Sequence, residues 1–306
     1  MNKPLVSVGM SSYNSGKTIS QAISSLQNQI YSNWELIIID ANSTDETIQI
    51  IEKHKNEDIR IKSIYSPVQQ SWLKSSIEQL QMASGQFFMW LDPDDIVDEN
   101  WISSLIEIHS TNNCIASIGT LYLINLENQL VLNHPCTERI FTFTSSRFRS
   151  LRILGCLLLP EPFGLVNLLY GLWRIEVLRE LELWTKDSAN NSDQVFVLRA
   201  LSKGIVCYTN NTSHYRRTNW IFAKTGFIPK NFPVDSKKVK RIKLQTFFFQ
   251  LATCKPPYHL YNEWIYNENW PNRLMFTYVV NFRRAFSSCS VIVSRLNFAS
   301  LKSIKD

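Results

Sequence analysis

Along the first hundred residues two hydrophobic periods take turns. Leu5-Val6-Ser7-Val8-Gly9-Met10 is a short apolar run and predicts a buried strand. Ile19, Ala22, Ile23, Leu26 and Ile30 then recur at helical spacing and predict one apolar stripe. Trp34 to Ile39 is β-branched and apolar on both faces, as a parallel strand covered on both sides must be. Ser43-Thr44-Asp45-Glu46 has the capping-box spacing and predicts a helix start with Ile48 and Ile51 turned inward. A third strand is expected over Ile59–Tyr65, a third helix over Ser71–Ala83 and a fourth strand over Phe87–Leu91.

Four alternations of strand and helix with short connections define an α/β chain built on a doubly wound, mostly parallel sheet. Ligands of such sheets bind beyond the carboxyl ends of the strands. The residues there are polar: Ser11, Ser12, Tyr13 and Asn14, then Asp40 and Asn42, then Asp92, Asp94 and Asp95.

After a helix over Trp101–His109 the texture changes. Cys114–Ile124, Gln129–Leu132 and Arg139–Phe143 read as strands of a mixed extension, and Asn167–Trp173 as a further strand ahead of a helical Arg174–Leu181. Ser192–Ser202 reads as a helix closed by Lys203 and a C-cap Gly204, followed by strands at Ile205–Tyr208 and Ser213–Arg217. Beyond Thr218 the chain turns aromatic and basic. The expected division is residues 1–217, with a first half to 110 and a second from 111, and a helical, aromatic-basic extension over 218–306.

Composition narrows the function. The chain has 306 residues, 44% of them hydrophobic, enough for a sizeable core. A net charge of +6 is mild for this length, so no nucleic-acid partner is expected. The excess gathers late, where Lys237, Lys238, Lys240, Arg241 and Lys243 precede Phe247, Phe248 and Phe249. Residues 237–249 suit either peripheral contact with an anionic membrane or a solvated helix face. The six cysteines show no C-x-x-C spacing, so neither a zinc site nor a disulfide framework is read and a reducing compartment is expected. Met1 to Pro4 runs straight into the first strand, leaving no signal peptide to expect. No apolar run reaches the ~18 residues of a spanning helix. The expected place is the cytoplasm, with the inner face of the cell membrane open through 237–249.

Asp92-Pro93-Asp94-Asp95 is the sharpest chemical feature. Carboxylates crowded after a buried strand repel one another unless a cation compensates. Hard cations such as Mn²⁺ and Mg²⁺ take one or two carboxylates plus substrate phosphates. An Asp-x-Asp step on an extended backbone would place Asp92 and Asp94 on one side. Asp95 also fits an ordinary acidic helix start. Asp40 suits either a nucleoside contact or a turn, and the Ser12-Tyr13-Asn14 turn could offer its backbone to a nucleotide with the Tyr13 ring against the base.

Val6 to Asn14, Glu35 to Asp45, and Ala83-Ser84-Gly85 leading to Trp90-Leu91-Asp92-Pro93-Asp94-Asp95 together resemble the family 2 glycosyltransferases. The resemblance covers about residues 4–110 well and continues more loosely through Tyr170-Gly171-Leu172-Trp173-Arg174, Ser192 to Phe196 and Tyr215-Arg216-Arg217. It implies a GT-A fold, a nucleoside-diphosphate sugar donor, a divalent metal and inversion at the anomeric carbon. By position, Asp40 would contact the nucleoside, Asp92 and Asp94 would hold ribose, diphosphate and metal, and Asp193 would be the general base. Read without the resemblance, Asp193 is an N-cap. Ala41 stands where many members have a second Asp, the loop Pro67–Ser76 lacks the usual acidic residue, and Thr218 and Asn219 replace a metal-ligating His, with His214 a substitute nearby. The implied activity is transfer to a glycan or lipid-linked acceptor in surface polysaccharide synthesis. A non-catalytic nucleotide-sugar-binding protein is the rival reading. A nucleotidyltransferase, the third, would want a Gly-rich loop that Ser11 to Gly16 is not.

Overall fold

The computed structural model describes residues 3–133, 143–158, 165–181 and 192–217, together with Phe276. The elements are β1 (Val6–Ser12), α1 (Ile19–Gln27), β2 (Trp34–Asp40), α2 (Thr47–Glu57), β3 (Ile61–Tyr65), α3 (Trp72–Met82), β4 (Phe87–Trp90), β5 (Ile96–Val97) and α4 (Trp101–Thr111). There follow β6 (Ala116–Ile124), β7 (Leu130–Asn133), α5 (Arg149–Leu158), a 3₁₀ helix (Leu165–Tyr170), β8 (Leu172–Arg174), α6 (Ile175–Glu180), α7 (Ser192–Lys203) and β9 (Val206–Arg217).

All of these strands lie in one sheet of order β3-β2-β1-β4-β8-β6-β9-β5, with β7 added to β6. β1 pairs parallel with both β2 and β4, and β2 parallel with β3. The chain therefore runs outward from β1 in one direction and returns to its other side as β4. That reversal opens a crevice at the carboxyl ends of β1 and β4, the usual ligand position of such sheets. Beyond β4 the pairing is mixed: β8 runs antiparallel to β4 and β6, while β6 and β9 are parallel.

The hydrophobic pattern explains the buried layer. Every residue of β2 is buried, and Ile19, Ala22, Ile23 and Leu26 of α1 face the same core. Glu35 survives inside β2 because Ser7 Oγ (2.6 Å), the Ser84 amide (2.8 Å) and Lys62 Nζ (2.7 Å) satisfy it. Trp34, Trp90, Trp101, Trp173 and Phe196 fill the centre, and Phe276 is buried in the same cluster. The residues expected to form a separate extension thus contribute at least this side chain to the core.

Several expectations are corrected. The α1 stripe stops early: the helix ends at Gln27 and Ile30 is exposed, its amide bonding to the Glu99 carbonyl. Ile59 lies outside β3 and is exposed. The apolar run Leu165–Tyr170 is a 3₁₀ helix and leaves only Leu172–Arg174 as strand. Of the strand expected at 139–143, residues 139–142 lie outside the described residues and Phe143 is helical. Gly204 follows α7 without a left-handed backbone. It stands at the C-cap as expected, its amide bonding to the Ala200 carbonyl, and a Cβ there would meet Ile115 Cγ2 at 2.3 Å, so close packing also favours the glycine. Cys114 and Cys207 form a disulfide, against the expectation of none. The parallel pairing of β6 and β9 brings together residues 93 apart in sequence, which no local spacing reveals.

Candidate active site

At the exits of β1 and β2, register places Ser12 beside Asp40. Asp40 has no exposed surface. It accepts from Ser12 Oγ at 2.9 Å, the Ser43 amide at 2.8 Å and Ser43 Oγ at 2.5 Å. The expected capping box is therefore absent: Ser43 turns back to Asp40, and Asp45 takes over at the start of α2, accepting from the Thr47 amide (3.0 Å) and Thr47 Oγ1 (2.5 Å). These bonds, outweighing the cost of burial, keep the Asp45 carboxyl below its ordinary range.

The loop after β1 is tied to the same segment. The Asn14 amide donates to Ser43 Oγ (2.8 Å), Ser15 to Thr47 Oγ1 (2.8 Å) and Gly16 to Asp45 Oδ2 (3.1 Å). Asn14 adopts a left-handed φ of 48°, which Asn tolerates, and its Oδ1 accepts from the Thr44 amide. These amides are spent inside the protein. Ser12 and Asp40 form a buried knot, and Asn14 braces one loop on another. Tyr13 and Asn14 both stay exposed, Tyr13 by 46%.

The exit of β4 differs. The Asp95 amide donates to the Asp92 carbonyl at 3.1 Å, closing a turn through Pro93 and Asp94. Asp92 and Asp94 thus sit on a turn, and not on the extended backbone expected. β9 staples that turn. Asp95, buried, accepts from His214 Nε2 (2.8 Å) and from the Arg217 amide (2.9 Å), while Arg217 Nε donates to the Asp94 carbonyl (2.8 Å). His214 is itself fully buried, with its ring edge-on to Trp101 and Tyr170. With Nε2 bonded to Asp95 it braces the turn, while its Nδ1 is buried with no hydrogen-bond partner among the described residues.

Electrostatics separates the three carboxylates. Asp92 accepts from the Tyr170 hydroxyl at 2.7 Å. Burial and the Asp95 charge raise its pKa, against the pull of Arg216, Tyr170 and His214. Burial, with Asp95 and Asp92 beside it, pushes the Asp94 carboxyl up to about 7. Arg216 lies 4.7 Å over the Tyr170 ring, with Nε 3.6 Å from Asp95, and bonds to Asn167. Burial works against its charge, but Tyr170 and the three aspartates hold its pKa above the ordinary value.

Among the described residues no group of three or more His, Cys, Asp or Glu side chains is arranged for a metal. Two carboxylates nonetheless fit a hard cation that takes its remaining ligands from a diphosphate. Burial first, and then the neighbouring carboxylates, raise Asp92 and Asp94, and a cation shared between the two would favour their charged forms.

Asp193 stands second in α7, but its side chain is outside the described residues. The unusual loop at 67–76 serves α3: Ser71 caps that helix by accepting from the Lys74 amide, and Gln70 Nε2 donates to Ser75 Oγ and Glu78 Oε2. Sequence reasoning missed Tyr170, which lay inside an apolar run read as strand. It left Asp95 between the acidic cluster and a helix start. Arg216 and Arg217 were visible only as part of a loose resemblance.

A parallel sheet with a β1–β4 crevice, a buried carboxylate after β2 and an acidic turn after β4 defines the GT-A class of nucleotide-sugar folds. The glycosyl transferase family 2 model matches residues 7–157, and the chain belongs to that family. It is 34% identical over 168 residues to the Escherichia coli protein WfgD, a UDP-Glc:alpha-D-GlcNAc-diphosphoundecaprenol beta-1,3-glucosyltransferase. That match takes in 55% of this chain and spans 64% of WfgD, under two thirds of its length. Among solved structures, residues 1–349 of TarS from S. aureus superpose with a TM-score of 0.60 at 17% identity, covering 91% of this chain and 71% of that fragment. The mannosyltransferase PcManGT from Pyrobaculum calidifontis, solved with GDP-Man and Mn²⁺, gives 0.55 at 12% identity, covering 99% of this chain and 81% of that one. At these identities the structures show the fold alone.

Proposed function

We propose that this glycosyltransferase moves a sugar, with inversion, from a nucleoside-diphosphate donor to a hydroxyl of a glycan or lipid-linked acceptor in surface polysaccharide synthesis. The observation that carries this reading is the pair Asp92 and Asp94. They stand at the β1–β4 crevice, and burial and neighbouring charge raise both, Asp94 to about 7. Mn²⁺ or Mg²⁺ held by Asp92 and Asp94 together with the donor phosphates would neutralise the charge of the departing diphosphate.

The chain's own residues supply the rest. Tyr13 offers an exposed ring to the nucleobase at the mouth of the crevice. Asp95, Arg217 and His214 keep the acidic turn rigid. Asp193 takes the proton of the acceptor hydroxyl as its oxygen bonds to the anomeric carbon. The bond from that carbon to the diphosphate breaks, and its electron pair leaves with the nucleoside diphosphate. WfgD supports a lipid-diphosphate acceptor by its name, and TarS, solved with UDP-GlcNAc, makes UDP-sugars reasonable first probes. PcManGT supports the choice of metal.

We place the catalytic unit at 1–217, with 218–306 as an extension. The membrane contact expected of 237–249 lies outside the described residues. Among the described residues no helix is long and apolar enough to cross a membrane. The test is a screen of UDP-, GDP- and dTDP-sugars with Mn²⁺ and again with EDTA, reading release of the nucleoside diphosphate. We expect release from one nucleotide class, abolished by EDTA. No release from any donor, or equal release in EDTA, would overturn the proposal.

A further inference from the structure

We propose that Tyr170 is a positioning residue that holds Asp92 in the orientation needed to receive metal and donor. This rests on the reading of Asp92 given above. A buried tyrosine hydroxyl needs a hydrogen-bond partner, and backbone carbonyls are the common choice. Here the partner is a carboxylate of the site: the hydroxyl donates to Asp92 Oδ2 at 2.7 Å. That commits one oxygen inward, while Oδ1 has no partner among the described residues.

The tyrosine is well placed to hold its neighbour. Its ring is buried, edge-on to His214 with centroids 5.6 Å apart, and covered by the Arg216 guanidinium. Its 3₁₀ helix is anchored from below. Trp173 Nε1 donates to the carbonyls of Leu168 (3.0 Å) and Leu169 (3.2 Å), and the Gly171 amide to Leu168 (3.1 Å). Gly171 cannot be enlarged, since a Cβ would lie 2.7 Å from the Ser117 carbonyl oxygen. The same short helix packs against β4, which leads to Asp92, and against α7, which carries Asp193. Without this hydroxyl, Asp92 would be free to turn away from Asp94 and Asp95, whose charges repel it.

Tyr170→Phe keeps the ring and removes only the hydroxyl. The experiment is calorimetry of UDP and of GDP binding, each with Mn²⁺ and with EDTA, on the full chain. It is run on wild type, Tyr170→Phe, Asp92→Asn and the double variant, with melting temperatures recorded. We expect Tyr170→Phe to weaken Mn²⁺-dependent nucleotide binding roughly tenfold, the order lost with one hydrogen bond to a charged group. In the Asp92→Asn background it should cost nothing further, because its effect passes through that carboxylate. Mn²⁺-dependent binding that Tyr170→Phe leaves intact, or weakens equally in both backgrounds, overturns the inference alone. Wild-type affinity that is the same in Mn²⁺ and EDTA, or absent for both nucleotides, overturns the metal reading and the inference with it.

Discussion

Two strands of the same parallel sheet end in aspartate, and the protein treats them in opposite ways. Asp40, after β2, is closed off: three donors from Ser12 and Ser43 converge on it and no part of it meets solvent. Asp92 and Asp94, after β4, are underserved. Asp92 has one hydrogen bond from Tyr170, Asp94 has only its own backbone amide, and both are pushed toward the protonated form. Position in the fold makes both look like ligand residues. Satisfaction separates them, because a carboxylate already paired inside the protein has little left to offer a ligand, whereas one in excess of its partners attracts a cation.

The largest effect should come from outside both groups. If neither strand exit supplies the base, Asp193→Asn will lower turnover ~10²–10⁴-fold, the range of positioned proton transfer, with nucleotide affinity and melting temperature little changed. Turnover kept per folded molecule, with a lower melting point, would return Asp193 to the status of a helix cap.

The contrast itself breaks or holds on a pair of variants. Asp40→Ala leaves three buried donors unsatisfied and should cost about 2–4 kcal/mol in urea unfolding. Asp94→Asn removes a charge that its neighbours disfavour. It should leave stability equal or higher at pH 8 while Mn²⁺-dependent nucleotide binding falls by roughly tenfold or more. If Asp40→Ala proves harmless to stability but abolishes nucleotide binding, Asp40 is a ligand residue after all.

Acidity sharpens the same point. Asp94 is raised to about 7, against about 4 for a free aspartate. A raised carboxyl contributes stability that is fully present below about 4 and lost as pH climbs through about 7. Glu35 and Asp58 are lowered and act with the opposite sign, so the informative quantity is a difference. The melting temperature of Asp94→Asn minus that of wild type should grow from pH 5 to pH 8 in EDTA. Mn²⁺ affinity in the presence of nucleotide should rise with pH and level off above about 7, since proton and metal compete for one carboxylate. A flat profile would place Asp94 outside the metal site.

Much of this was legible from the residue pattern, and what was not has a common cause. The β-branched run of β2, the stripe of α1 and the Ser71 cap of α3 declare themselves because each rests on neighbours in sequence. Asp92 and Asp94 stood out for the same reason: three acids in four residues need an explanation wherever they fall. The errors lie where specific side-chain bonds decide, near or far in sequence, because the hydrophobic period does not reveal them. Ser43 at the cap position bonds to Asp40 in place of the helix. The bond of His214 to Asp95 spans 119 residues and no local pattern announces it. Leu165–Tyr170 is apolar enough for a strand, yet Trp173 draws its carbonyls into a 3₁₀ turn, and that turn is what delivers Tyr170 to Asp92.

The smallest expected effect tests how evenly the Asp40 knot shares its load. Ser12 Oγ provides one of the three bonds at 2.9 Å, and Ser43 provides the other two. Ser12→Ala therefore removes one donor and leaves Asp40 with two, both on the oxygens it already uses. No donor is orphaned, unlike in Asp40→Ala, so the loss should be that of a single hydrogen bond to a charged group, about 1.5–3 kcal/mol at most and toward its lower end. Urea unfolding reads it directly. Because Ser12 is only 2% exposed, nucleotide affinity should hold within about twofold, well under the 1.4 kcal/mol of a tenfold change. A variant that keeps its stability but loses nucleotide would show that the hydroxyl reaches the ligand, and the line between the sealed exit and the open one would then have to be drawn through β1 itself.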